Sequence, residues 1–367
     1  MAGLEPATQL PRVRAVGESL LRARTCARWV AGSRIACPAM TNFLQPRYMT
    51  GGSNIVEATP AAIAKAAQLL REGKLVAFPT ETVYGLGADA RSDDAVASIF
   101  AAKGRPKINP LIVHVANAGE AEKLAAFDDR AHALAKRFWP GALSMVLRRR
   151  EDCGISWMAT AGLETIAVRC PAHPIARDLL VAFDGPIAAP SANPSGTVTA
   201  TSALHVAESF DTAIELILDG GATTLGLEST IVGLTGPEAT LLRPGAIARA
   251  EIEAVIGPLL DARDDDHAPH SPGRLKRHYG TTRPLRLNTT DVRADEALLA
   301  FGVPLRGARR MSNLSASGDL KEAAANLFAM LRALDTPDIR GIAVMPIPPH
   351  GLGEAINDRL QRAAVRE

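Results

Sequence analysis

The sequence predicts an α/β protein with a layered domain over roughly 55–257 and a smaller α/β domain at 285–367. Three observations carry this prediction. Short apolar runs alternate with segments of helical periodicity, the pattern of strands and helices packed in layers. Several of those runs end in hydroxyl, amide or guanidinium side chains, where open α/β sheets present groups to ligands. Composition then shifts, with an acidic stretch at Asp261–His270 and a basic one at Ser271–Arg286, before apolar periodicity resumes. The span 258–284 therefore reads as a linker or lid, longer than ordinary loops.

Thr59-Pro60 is a good helix entry, since threonine can cap and proline suits the first helical position. Ile63, Ala66, Ala67 and Leu70 recur at helical spacing, and Gly73 marks a stop. Strands are expected at Leu75–Phe78, Leu111–Val115, Leu143–Leu147, Thr165–Val168, Ile187–Ala189, Leu216–Asp219, Ser229–Leu234 and Ala239–Arg243. Helices are expected at Asp93–Ala102, Glu120–Phe138, His173–Phe183 and from Ser202. In the second domain, Leu285–Leu287 and Ile342–Pro346 read as strands. Leu320, Ala324, Leu327, Leu331 and Leu334 form a helical stripe, and a last helix runs from Gly353 to Ala364.

Bulk properties exclude several classes. The 367 residues carry 41 basic and 39 acidic side chains, so a net charge of +2 gives no global argument for nucleic acid or membrane. Cys26, Cys37, Cys153 and Cys170 form no C-x-x-C pair, which argues against a disulfide framework or a zinc site and for free thiols in a cytoplasmic setting. No apolar run approaches the ~18–20 residues of a membrane span. Residues 1–54 form an N-terminal extension. Its first fifty residues carry seven arginines, no lysine and two acids, Glu5 and Glu18. That composition fits a disordered tail, a transit peptide, or a start placed upstream of Met40 or Met49.

The stretch Leu75–Val115 holds the densest chemistry. An apolar run meets the hydroxyls of Thr80, Thr82 and Tyr84. The cations Lys103, Arg105 and Lys107 follow in a loop stiffened by Pro106 and Pro110. Rigid cations suit phosphates, although such a loop can equally be a solvated surface. Gly85-Leu86-Gly87-Ala88-Asp89-Ala90 matches a loose dinucleotide fingerprint. The glycines do not open a helix, however, and no acid ends a second strand, so they read as a turn. There is no Walker A loop. Ser191-Ala192-Asn193, set between two prolines after an apolar run, is either a turn or a ligand loop. Arg169 and Arg243 close apolar runs, as ligand-facing cations or structural ion pairs, because an unpaired buried charge is costly. His114 lies inside a strand, and Glu228-Ser229-Thr230 sets hydroxyls at the edge of another.

Taken together, these segments resemble the Sua5/YrdC/YciO family, the L-threonylcarbamoyladenylate synthases. The resemblance runs from Phe78-Pro79-Thr80-Glu81-Thr82-Val83-Tyr84-Gly85-Leu86-Gly87 through Lys103-Gly104-Arg105-Pro106, Pro110–His114, Trp139-Pro140-Gly141 and Val168-Arg169-Cys170-Pro171. It continues through Pro190–Gly196, Ser229–Val232 and Leu242-Arg243-Pro244-Gly245. The second domain, with His278-Tyr279, Asn313-Leu314-Ser315 and His350–Leu360, resembles the long Sua5 form. One departure is Gly280–Pro284, where the family tends to have Ala-Pro directly after the tyrosine.

The resemblance implies a YrdC-like twisted mixed sheet with helices, plus a smaller C-terminal Rossmann-like α/β domain of the Sua5 type. It implies that L-threonine, bicarbonate and ATP give threonylcarbamoyl-AMP and pyrophosphate, for the N6-threonylcarbamoyl modification of adenosine 37 in tRNA. By motif position, Lys103, Arg105, Asn109, Ser191, Asn193, Thr199, Arg243 and Tyr279 would hold ATP. Thr82, His114, Thr165, Arg169, Ala189 and Ser229 would hold threonine. Lys103 and Arg105 would act as electrostatic catalysts, and Arg169 would grip the carboxylate in a bidentate way. Magnesium would come with the triphosphate rather than from a protein cage, with no organic cofactor. Hand-over of the product to the downstream threonylcarbamoyl transferase and weak tRNA or double-stranded RNA binding are further expectations. Two competing readings are an RNA-binding module and a YciO-like paralogue with different chemistry.

Overall fold

The computed structural model describes residues 54–210, 213–262 and 278–365. The expectations for the N-terminal extension, for Cys26 and Cys37, and for the linker cations Arg274, Lys276 and Arg277 lie outside them. The described chain opens with β1 (Ile55–Glu57), α1 (Pro60–Arg71), β2 (Val76–Pro79), β3 (Tyr84–Asp89), α2 (Asp93–Lys103), β4 (Ile112–His114), α3 (Ala118–Leu124) and α4 (Asp129–Phe138). It continues with β5 (Leu143–Arg148), β6 (Thr165–Arg169), α5 (Pro174–Phe183), β7 (Ile187–Ala188), α6 (Ala203–Phe210), β8 (Leu216–Asp219), β9 (Thr230–Gly233), β10 (Thr240–Arg243), α7 (Arg249–Ile256) and β11 (Leu260–Asp261). These eleven strands form one mixed sheet in the order β1-β8-β2-β3-β7-β4-β6-β5-β9-β10-β11.

Strand pleating sorts side chains to opposite faces of this sheet. Val76 and Phe78 pack with Ile63, Ala66 and Leu70 of α1 and Leu179, Leu180 and Phe183 of α5. Leu75, Ala77, Leu86 and Ala88 join the larger cluster with α2, α4 and α6 on the other face. Over β4, β6, β5 and β9 the first of these faces holds only a small cluster, Ile112, Val146, Ala167 and Ile231. That thinly covered patch is the floor of the site described below.

The second domain adds β12 (Leu285–Arg286), β13 (Glu296–Ala300), β14 (Arg310–Asn313), α8 (Leu320–Leu334), β15 (Gly341–Val344) and α9 (Leu352–Ala364). Its four strands are all parallel, in the order β12-β15-β13-β14. Asp319 caps α8 by accepting from the Lys321 and Glu322 amides.

Three expectations are corrected. Residues 84–89 are a strand, not a turn, pairing antiparallel with β2 from Pro79↔Tyr84 to Val76↔Gly87. Gly87 is small because a Cβ there would lie 2.8 Å from the Phe78 ring and 3.0 Å from Ile187. The glycines of the apparent fingerprint therefore make room for side chains, not for a pyrophosphate. The helix expected over 120–138 is two helices. Ala125 bridges to Arg149, Ala126 donates to the Arg148 carbonyl, and Asp128 caps a fresh helix from Asp129 by accepting from the Ala131 amide. The segment after 257 begins as edge strand β11, parallel to β10.

The second domain packs on the first through Leu227, Val83 and Val198, which join its apolar cluster. Contact is close at Gly226, whose φ is +66° and where a Cβ would meet the Ala325 carbonyl of α8 at 2.4 Å. Gly226→Ala should therefore cost about 2 kcal/mol or more, from backbone strain and a forced shift of α8. Chemical denaturation checks this, and wild-type stability in the variant would contradict the close approach.

Candidate active site

The strand ends over the thinly covered floor enclose a cavity of about 40 Å³. It is lined by Thr80, Thr82, Arg105, Ile112, His114, Arg169, Ala189, Ser191, Glu228, Ser229, Arg243 and His278, among others. Strand parity explains the assembly. Ile112 and His114, Ala167 and Arg169, and Ser229 and Ile231 are each two residues apart and share a face, and His114 is the register partner of Arg169. The cavity has room for about one or two waters. The cavity is small and partly open, so a substrate of several heavy atoms enters by displacing lining groups.

One half of the cavity is built on Arg169 and Glu81. Arg169 Nη2 donates to Glu81 Oε1 at 2.6 Å and its Nε to the Gly141 carbonyl at 3.2 Å. Glu81 Oε2 also accepts from the Ala172 and His173 amides. Burial alone would raise the Glu81 pKa, but Arg169, with the backbone amides of Glu81 itself and Ala172, holds it below the usual carboxylate range. The bidentate grip expected of Arg169 is therefore narrowed, because Nε and Nη2 are already committed within the protein. Thr80 donates to the Val83 carbonyl at 2.6 Å, which leaves Thr82 to donate to Thr80 Oγ1 at 2.7 Å. His114 Nδ1 lies 3.2 Å from the Ile112 carbonyl and its ring meets Phe78 edge-on. Burial, then Arg169, push the His114 pKa down to about 3, so the imidazole is neutral. Ser229 Oγ lies 2.8 Å from Ser144 Oγ.

The other half is cationic. The Arg105 guanidinium donates to the Asn109 and Pro110 carbonyls at 3.1 and 2.8 Å, and Arg243 donates to the Ser229 carbonyl at 2.9 Å and its hydroxyl at 3.2 Å. Burial and then Arg243 push the Arg105 pKa down to about 9, which leaves it charged at neutral pH. Lys103 does not line the cavity. Its ammonium donates to the Ser191 carbonyl at 2.6 Å and to the Asn193 carbonyl, tying the end of α2 to the Pro190–Gly196 loop. Burial, then Arg105, drive its pKa well down, and an arriving anion would raise it again.

The remaining expected residues are distributed unevenly. Ala189 and Ser191 line the cavity. Asn109 is fully buried with both side-chain polar atoms unpartnered, and Asn193 keeps an unpartnered Oδ1. Such orphaned groups mark a place for a ligand or water. Thr199 donates to Glu228 Oε1 at 2.8 Å. Tyr279, with φ of +62°, is fully buried between Arg359 and Phe328 rather than on the cavity, while neighbouring His278 does line it. Thr165 is not brought to the site. It shares the face of Arg169 but sits at the far end of β6, opposite Arg148 and about 13 Å away at strand rise.

Sequence reasoning gave no site role to Glu81, Glu228, His278 or Arg359, although the first three fall in motifs it quotes. A signal existed for Arg359. Ile356, Leu360 and Ala363 mark the buried stripe of α9, and Arg359 falls on it.

Comparison with known proteins gives a consistent picture. The Sua5_yciO_yrdC family model, described as telomere recombination, matches residues 68–245. The Sua5_C model, described as the C-terminal domain of threonylcarbamoyl-AMP synthase, matches residues 247–365. A threonylcarbamoyl-AMP synthase of Bacillus subtilis is 42% identical over 324 residues, covering 82% of this chain and 92% of the relative. One from Pyrococcus abyssi is 43% identical over 318 residues, covering 82% and 93%. The crystal structure of P. abyssi Sua5 complexed with L-threonine superposes with a TM-score of 0.79 at 40% identity, covering 84% of this chain and 96% of that one. The chain belongs to the Sua5/YrdC/YciO family, in its long two-domain Sua5 form.

Proposed function

We propose that this protein is an L-threonylcarbamoyl-AMP synthase. One observation carries the reading: one small cavity joins a charge-balanced half, built on Arg169 and Glu81, to a cationic half, built on Arg105 and Arg243. The identity of the relatives, and the threonine bound to one of them, support it.

In the reaction, the threonine amine adds to bicarbonate with loss of water, giving an N-carboxylate. A carboxylate oxygen then attacks the α-phosphorus of ATP as the bond to the β-phosphate oxygen breaks, releasing pyrophosphate. The product serves the N6-threonylcarbamoyl modification of tRNA. Two anions must meet in this step, so the main catalytic contribution is fixed positive charge in a dry site. Arg105 and Arg243 supply it directly, and Lys103 holds the Ser191–Asn193 loop against them. The substrate brings the nucleophile, so no protein nucleophile is required.

Arg169, His114, Thr82, Ala189 and Ser229 face the threonine half, whereas Asn109, Ser191, Asn193 and Thr199 belong to the nucleotide half. Both carboxylates at the cavity are engaged by arginines, Glu81 by Arg169 and Glu228 by Arg359, and no cluster of metal-ligating side chains occurs among the described residues. A magnesium ion would therefore be held chiefly by the triphosphate. His278, backed by Tyr279, acts as the closing edge, and its displacement admits the nucleotide.

The direct test is threonine-dependent pyrophosphate release from ATP by the full chain, with and without added bicarbonate. Release should require all three substrates, and salt-dependent RNA binding without any release would favour the RNA-binding alternative. Arg169→Met and Glu81→Gln should each raise the KM for threonine about 10- to 100-fold, as expected for a lost charge-assisted contact, with the KM for ATP within about threefold. Equal loss on both substrates would contradict the division of the cavity.

Burial of neutral His114 also sets a pH dependence. Its folded pKa of about 3 lies below the ordinary value near 6.5, so its contribution to stability is full above pH ~6.5. That contribution is lost progressively as pH falls toward 3, because the unfolded chain takes the proton the folded one refuses. His114→Gln should flatten that limb of the Tm–pH curve, and an unchanged slope would count against the neutral buried imidazole.

A further inference from the structure

Arg359 of α9 is the largest fully buried side chain among the described residues. It comes from the second domain, yet two of its three hydrogen-bond partners belong to the first. Its Nε donates to Glu228 Oε2 at 3.0 Å, and its Nη2 to the Pro244 carbonyl at 2.9 Å, while its Nη1 donates to neighbouring Asp358 at 2.5 Å. The guanidinium also lies over the Tyr279 ring, 5.2 Å from its centre.

These partners lead straight to the cationic half of the cavity. Glu228 uses its other oxygen to accept the Thr199 hydroxyl at 2.8 Å, so that hydroxyl's proton is directed away from any ligand. Ser229, next in the chain, accepts from Arg243 through both its carbonyl and its hydroxyl. Pro244 directly follows Arg243 in the chain. The links form a closed ring, from Arg359 through Glu228, Ser229, Arg243 and Pro244 back to Arg359. We infer that Arg359 is a positioning residue for the nucleotide, setting Thr199 and Arg243 through Glu228 and the Pro244 carbonyl. This inference rests on the reading that ATP occupies the side of Arg105 and Arg243.

A purely adhesive role explains the arrangement poorly. Apolar packing already joins the domains through Val83, Val198 and Leu227, and a buried ion pair is often no more stabilising than apolar residues of the same size. What an ion pair adds is direction. Three donors of one planar group point at three fixed acceptors, and two of those acceptors adjoin ligand-facing residues.

The test measures binding of ATP, and separately of threonine, to the full chain by calorimetry, alongside thermal denaturation. Arg359→Met should weaken ATP binding about 10- to 100-fold, as loss of a directed charged contact does, while threonine binding stays within about twofold. Arg359→Lys keeps the charge without the fork and should give an intermediate loss, and it stands in if the methionine variant does not fold. The double variant Glu228→Gln with Arg359→Met removes the stranded charge, so it should regain most of the lost Tm but not the ATP affinity.

ATP binding within about twofold of wild type in the single variants would overturn the inference, as would parallel loss of threonine binding. Recovery of Tm and ATP affinity together in the double variant would also overturn it, since that is how a merely structural pair behaves. Wild-type chain that binds both substrates but releases no pyrophosphate would overturn the proposed synthase activity and leave the role of Arg359 standing. Wild-type chain that binds no ATP would overturn both.

Discussion

Burial of positive charge around one small cavity is the constraint on which the rest of this structure depends. Lys103, Arg105, Arg169 and Arg243 are each less than a tenth exposed, and all face the same few strand ends. Removing such a group from water costs several kcal/mol unless partners replace the lost hydration. The protein meets the demand in two ways. Backbone carbonyls of Ser191, Asn193, Asn109, Pro110, Gly141 and Ser229 accept from the cations. Two carboxylates, Glu81 and Glu228, supply opposite charge from the strand-edge segments that flank the cavity.

The carbonyl acceptors explain the proline-rich loops. Pro106, Pro110, Pro190 and Pro194 bracket segments whose carbonyls must point inward, and a residue with a fixed φ and no N–H limits alternative pairings there. The same logic accounts for the second domain. Glu228 is fully paired only when Arg359 reaches it, and Arg332 of α8 also donates to the Val198 carbonyl at 2.6 Å beside Thr199. Gly226 lets α8 approach within reach of that segment. The two domains share a polar lattice as well as an apolar seam, and the lattice lies against the site.

Much of this was legible in the sequence, for identifiable reasons. Elements with strong local signals, such as the capped helix at Thr59, the apolar runs at 143–147 and 216–219 and the stripe of α8, match the structure closely. The misses are tertiary. Strand β3 hid behind its glycines, whose purpose appears only once Phe78 and Ile187 are packed against them. The break at 125–128 comes from pairing with the end of β5, which no periodicity reveals. Strands β13 and β14 carry too little alternation to stand out, because β13 is buried on both faces and β14 is a polar edge. At the site, strand-end cations and hydroxyls could be named from sequence, whereas their counter-ions could not. Glu81 meets Arg169 across 88 positions and Glu228 meets Arg359 across 131. Thr165 shows the reverse failure, since it has the right face but the wrong end of its strand.

The pairing leaves the two halves of the cavity electrically unlike, and that difference bears on what each can hold. On one side Arg169 is matched by Glu81, so the pair is neutral as a unit. A zwitterion, itself neutral overall, fits such a surface because each of its poles finds an opposite pole already oriented. On the other side Lys103, Arg105, Arg243 and Arg359 lie with Glu228 and Asp358 among the described residues, and His278 among them is held neutral by burial and by those same cations. Among the described residues cations outnumber carboxylates there, and backbone carbonyls accept from Lys103, Arg105 and Arg243. A polyanion entering there would meet these buried cations away from bulk water, so its attraction is weakly screened. The desolvation of the cations occurs during folding, not during binding, which is the sense in which the site is prepared for a triphosphate before one arrives.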